Sequence, residues 1–264
     1  MGTASKDNVA TLGAIGLLAY VSADVAHHGL GHGAACLALG GRIRSLSSIF
    51  VDCSLTGSAI DLAGPLANLV VGLVAVLCIR TVHRTSTATR LFFILMAAFN
   101  LLWFGLQLVF SAATGTDDWA WAMQEFHIGV PVRYAMVAIG AILYVLTVRF
   151  IGSQMAPFAY PRTRARTIVA TTWLTAGAIA CATAAFDHNA AAAIMRHAAP
   201  QSLLLSIGLL FTPARAERLS SPDIAATTLA RSVPWMVIAI SIGAASMVFL
   251  GPGFTLASWA ADGP

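Results

Sequence analysis

Long apolar runs separated by short polar stretches organise this chain. The runs fall at about 9–39, 62–82, 90–114, 131–150, 167–186, 199–213 and 232–250. A helix needs ~20 apolar residues to cross a hydrocarbon core of ~30 Å. The pattern predicts an all-α polytopic membrane protein with six or seven transmembrane helices, the count turning on 199–213, which is short for a crossing. Between the first two runs lies "RIRSLSSIFVDCSLTGSAIDL", rich in Ser, Ile, Val and Thr and partly alternating. It reads as an extended segment or hairpin. At membrane depth such a segment must be buried in protein or line a wet cavity.

Composition agrees. The 264 residues are 58% hydrophobic and 10% charged, against roughly 25% charged in soluble domains. No stretch separates as a second soluble domain, and the net charge of +4 is scattered between apolar runs, which argues against nucleic acid as a partner. With seven crossings, Lys6, Arg80, Arg84, Arg90, Arg149, Arg162, Arg164, Arg166, Arg215, Arg218 and Arg231 share one side, and Arg42, Arg44, Arg133 and Arg196 the other. That 11-to-4 bias predicts a cytoplasmic N-terminus and an outer C-terminus in a bacterial-type cytoplasmic membrane. Lys6, the run Ala10–Tyr20 and Val21-Ser22-Ala23 imitate a cleaved secretory signal, but the apolar character resumes through Leu39, so a retained helix is expected. Cys36, Cys53, Cys78 and Cys181 form no CxxC pair and read as small packing residues, with no disulfide framework expected.

Under this topology His27, His28, His32, His127, His188 and His197 fall on the outer side, with His83 inside, and the acidic "GTDDWAWAMQEFH" emerges on the outer side too. Within "ADVAHHGLGHGAACLALGG" (23–41), His28 and His32 stand four apart, one turn on a single α-helical face, the spacing of a helical zinc site. Asp24, one turn earlier, suits an imidazole-orienting role. A third ligand is required if a position is to stay open for catalysis. Asp117 and Asp118 are the nearest choice, with Glu125, His127, His188 and His197 also within reach of that side; the Asp pair also reads as a helix cap before Trp119.

These residues bring a family into view. "HGLGH" (28–32) resembles the HExxH helix of site-2-protease-like (M50) intramembrane metalloproteases. "AGPLANLVVGL" (63–73) is similar to their Gly-Pro-x-x-Asn segment, and "FNLLWFGLQLVFSAATGTDDW" (99–119) to the segment that brings the metal-binding Asp. The resemblance covers about 15–125 and implies a core over 1–125 with the metal motifs, while 126–264 adds helices to the same membrane domain. It implies a zinc ion held by His28, His32 and Asp118 (or Asp117), a peptide substrate positioned by Asn68, and the 42–60 stretch offering an edge strand to an unwound transmembrane or membrane-proximal peptide. Gly64, Pro65 and Gly72 equally suit helix initiation and close packing.

The chain departs from the family in two ways. It has neither a Pro before nor a Gly after the aspartate pair, and Gly29 stands where the family has its glutamate base. A relocated base is then required, with Asp117, Glu125, His127, Cys36 and His27 the residues to weigh, although His27 lies about 100° round an α-helix from the metal face. The leading expectation is a divergent zinc metallopeptidase. Beside it stand a catalytically silent homologue that binds membrane segments, a different metalloenzyme using the extra histidines for a second metal or for iron or copper, and a transporter, disfavoured by a nearly apolar inner half.

Overall fold

The computed structural model describes residues 7–81, 86–159, 163–220 and 228–254. Lys6, His83, Arg84 and Arg162 lie outside these. Among the described residues, six helices are long and apolar enough to cross a membrane. The first, Val9–Ala38, consists of α1 (Val9–Val25), a π-helical segment (Ala26–Gly33) and α2 (Ala34–Ala38). It is followed by β1 (Ile43–Leu46) and β2 (Val51–Cys53), then α3 (Ser58–Thr81), α4 (Thr87–Thr114), the short α5 (Asp118–Glu125), α6 (Val130–Gln154) and α7 (Thr163–Ala184). α10 (Val233–Ala245) with a terminal π turn (Ser246–Leu250) completes the described helices.

Each start has a local cause. Asn8 caps α1 through its side chain to Thr11 N, Ser86 caps α4 through Thr89 N, and Pro131 and Pro234 sit in first turns, where no backbone N–H is lost. α1 and α4 form the buried centre, where Leu12, Ile15, Ala19 and Tyr20 meet Leu95, Phe99, Leu102 and Trp103. α6 and α10 lie at the periphery, showing Ile139, Ile142, Val145, Val237 and Ile240 outward. Such faces are what a bilayer solvates.

The chain between α7 and α10 crosses the bundle without a long helix. It proceeds through α8 (Ala190–Ala193), two π turns (Ile194–Ala198 and Pro200–Leu204), a 3₁₀ turn (Ile207–Phe211) and α9 (Thr212–Leu219). At one end His197 and Gln201 face the histidines of the π-helical segment across a cavity. At the other, Arg166 Nε donates to Glu217 Oε1 at 3.0 Å, and Arg215 lies against Gly152. Pro200 and Pro213 sit at the starts of the second π turn and of α9, the chain turns at 205–206 between them, and side chains bond backbone groups of the traverse: Gly208 N donates to Tyr144 Oη (2.7 Å), and Trp173 Nε1 donates to Leu203 O (3.2 Å). This irregular traverse explains why 199–213 is too short to read as a spanning helix.

The bundle therefore has two distinct ends. The basic end holds the start of α1 tied to neighbouring chain: Arg164 makes a two-pronged pair with Asp7 (2.6 and 2.8 Å), and Asp7 Oδ1 also accepts from Leu229 N. The site end holds the hairpin, in which β1 and β2 are antiparallel, with Phe254 bridged to Leu46 on β1's other edge. β2 keeps its outer edge free of strand partners among the described residues.

The expectation for the cysteines is corrected here. Cys36 and Cys53 form a disulfide, while Cys78 and Cys181 are free. The hairpin folds back onto the end of α2, and Gly41 makes the approach possible, since a Cβ there would fall 2.8–2.9 Å from both sulfurs. No spacing rule reveals a pair brought together only by the return of the hairpin.

Candidate metal centre

Three buried side chains converge at the site end: His27 and His32 from the π segment and Asp118 from the first turn of α5. Their donor atoms form a nearly equilateral triangle. His27 Nε2 to His32 Nε2 is 3.2 Å, His27 Nε2 to Asp118 Oδ2 is 3.1 Å, and His32 Nε2 to Asp118 Oδ2 is 3.3 Å. Ligands at ~2.0 Å from a tetrahedral zinc stand about 3.3 Å apart, so the triangle matches one face of such a site and leaves the fourth vertex open.

The histidines that meet in the triangle are therefore His27 and His32, where an α-helix would bring His28 and His32 together. In an α-helix His28 and His32 would share a face, but the chain is π-helical there, and i→i+5 bonding stacks residues five apart. His27 thus takes the place above His32. His28 lies outside the triangle, its ring centre 6.2 Å from that of His32, with Nδ1 on Asp24 Oδ1 at 3.2 Å. Gly29, Gly31 and Gly33 interrupt this stretch, and at Gly33 a Cβ would press on His28 O at 3.1 Å, a consequence of the widened turn.

Outer contacts orient the three candidate ligands. His32 Nδ1 donates to Ile60 O (2.8 Å), which sets the tautomer that turns Nε2 toward the triangle. His27 has no such anchor at Nδ1 among the described residues; its ring stacks on Trp103, centroids 4.8 Å apart and planes 19° apart. Gln107 Nε2 donates to Asp118 Oδ2 (2.8 Å) and to Asp117 Oδ2 (3.2 Å). Burial would raise the Asp118 carboxyl, but the two imidazoles outweigh it and hold it well below the usual carboxylate range. Asp117, at positive φ (77°), caps α5 by accepting from Asp118 N, and burial, with the charge of Asp118 adding, pushes its carboxyl up to about 6.

The triangle opens into a cavity of about 500 Å³ lined by His28, Asp61, Asp117, Trp121, His197, Gln201 and residues 49–53 of the hairpin. Other expected site residues lie elsewhere. Glu125 accepts from Ser58 N at the start of α3. His127 is exposed and bonded to Gln124 O, and His188 is exposed. Asn68 is fully buried in α3, away from the cavity lining, and its amide finds no partner among the described residues. Gly29 does not line the cavity either. Asp61, Trp103 and Gln107 escaped the sequence reading: all three sit in apolar helices where nothing local separates a ligand-orienting side chain from a packing one.

Gly64 has a role that packing alone does not describe. α3 crosses the π segment so closely at Gly31 and Gly64 that a Cβ on Gly64 would collide with the His32 imidazole itself. Gly64→Ala is therefore expected to displace His32 and lower zinc affinity at least tenfold in a competition titration, although it adds only a methyl group remote in sequence from any ligand.

Comparison of the chain with protein-family models, with curated proteins and with solved structures finds no match. What the fold and site define is a multi-pass helical protein with a buried His-His-Asp cluster able to coordinate a metal ion.

Proposed function

We propose that this protein is a zinc-dependent hydrolase working within the membrane on peptide bonds, similar in chemistry to the M50 metalloproteases, with His27, His32 and Asp118 as ligands. The observation that carries the reading is the donor triangle opening directly onto a cavity that His28 also faces. Zinc, when bound, would polarise a carbonyl and lower the pKa of water.

The chain's own residues supply the rest. In HExxH the base directly follows the first ligand. With the first ligand at His27 and the extra residue absorbed by the π turn, the position after it is His28 rather than Gly29. Asp24 occupies His28 Nδ1, leaving Nε2 to accept a proton from the attacking water and pass it to the leaving amine. Val51–Cys53, the free edge of the hairpin, line the same cavity and suit an extended peptide that adds as a strand.

Two features favour placing the site end outside. The arginine excess lies at the opposite end, and a disulfide joins Cys36 to Cys53, a bond maintained in oxidising compartments. The test is cleavage of a fluorogenic transmembrane-peptide library by protein reconstituted in vesicles. Cleavage that requires zinc and stops on chelation supports the reading; zinc-loaded protein that cleaves nothing removes it.

A further inference from the structure

At the basic end, far from the metal centre, α6 and α9 enclose a second cavity of about 540 Å³. Its walls are apolar, with Val145, Val148, Phe211 and Leu219, and its rim carries three arginines, Arg149, Arg215 and Arg218. All three are exposed, and none has an ion-pair partner among the described residues. The one carboxylate on α9, Glu217, is engaged by Arg166 instead. The slot opens on the face where Val145, Phe211 and Leu219 are about half exposed or more, so acyl chains reach it directly from the bilayer.

Three guanidiniums around an apolar slot match one kind of occupant. A phosphodiester offers oxygens that guanidiniums bind in two-pronged fashion, and hydrocarbon chains fill the slot beneath. A free anion would leave the apolar walls unused, and a neutral lipid would leave three clustered positive charges uncompensated. We infer that this cavity is a binding site for an anionic phospholipid, with phosphate at Arg149, Arg215 and Arg218 and chains along Val145 and Phe211. Because α9 ends the irregular traverse that begins beside the metal cavity, such a lipid would also brace the least regular part of the bundle.

The test is native mass spectrometry of the full-length protein titrated with phosphatidylglycerol or phosphatidylcholine of the same chains. Wild type is expected to bind one phosphatidylglycerol at least tenfold more tightly than phosphatidylcholine. R149Q/R215Q/R218Q should lose that preference, and Arg231→Gln, at the same end but outside the cavity and away from Glu217, should keep it. Val145→Trp fills the slot and leaves every arginine in place, so it should also weaken phosphatidylglycerol. Equal binding of the two lipids by wild type overturns the inference. So does a triple variant that retains the preference, an Arg231→Gln effect as large as the triple variant's, or inorganic phosphate at equal concentration displacing the lipid.

Discussion

Loaded with zinc and freed of excess metal, the wild-type protein should carry one ion, His27→Ala should carry none, and His28→Ala should keep its ion. The expectation follows from the helix register. A plain α-helix through 23–41 brings His28 and His32 onto one face and sends His27 aside. The π segment reverses this, placing His27 Nε2 3.2 Å from His32 Nε2 and turning His28 to Asp24. Disturbing the groups that merely orient ligands typically costs 10–100-fold in metal affinity, so removing one of three ligands should cost at least 100-fold. His32→Ala and Asp118→Ala should behave as His27→Ala does. Elemental analysis with a chelator competition reads all four variants. Loss of zinc from His28→Ala with retention in His27→Ala would restore the α-helical spacing and end the π-register account.

Periodicity and hydropathy made most of the fold legible, because bilayer thickness imposes a length on every crossing. The hairpin was legible for a similar reason: "RIRSLSSIFVDC" alternates, and β1 and β2 fall inside it. The site was legible in kind and blurred in detail. Histidines and an acidic pair on one side of an apolar protein pointed to a metal, and Asp118 and His32 do meet. An α-helix of 3.6 residues per turn sends His27 off the face that His28 and His32 share, so spacing alone does not place it in the triangle. A signal was present in the paired histidines followed by Gly29, Gly31 and Gly33, a stretch with few side chains to hold an α-helical turn. Gln107, Asp61 and the Cys36–Cys53 bond depend on how α4, α3 and the hairpin pack against α1, and no local pattern encodes that.

On the proposed hydrolase reading the register puts His28 directly after the first ligand, and this leads to the second large effect. If His28 is the base, His28→Ala should retain zinc yet lower kcat by roughly 10²–10⁴, the usual contribution of a positioned general base. His28→Glu, which puts a carboxylate directly after the first ligand, should recover much of that loss. Asp24→Asn should give an intermediate loss, since it removes the carboxylate holding His28 Nδ1 and leaves the ring in place. Gly29→Glu serves as the contrast. A Cβ at Gly29 meets only Val25 Cγ1, at 3.6 Å, so the side chain is sterically tolerated, but the position does not line the cavity and activity should stay near wild type. A gain of cleavage in Gly29→Glu over an inactive wild type would instead mark a silenced protease in α-helical register. Asp61 faces the cavity from α3, as Asp52 does from β2 and Asp117 from the cap of α5. Should Asp61→Asn abolish turnover with zinc retained while His28→Ala leaves kcat intact, the base would belong to α3, and the π segment would serve only to bring His27 and His32 into line.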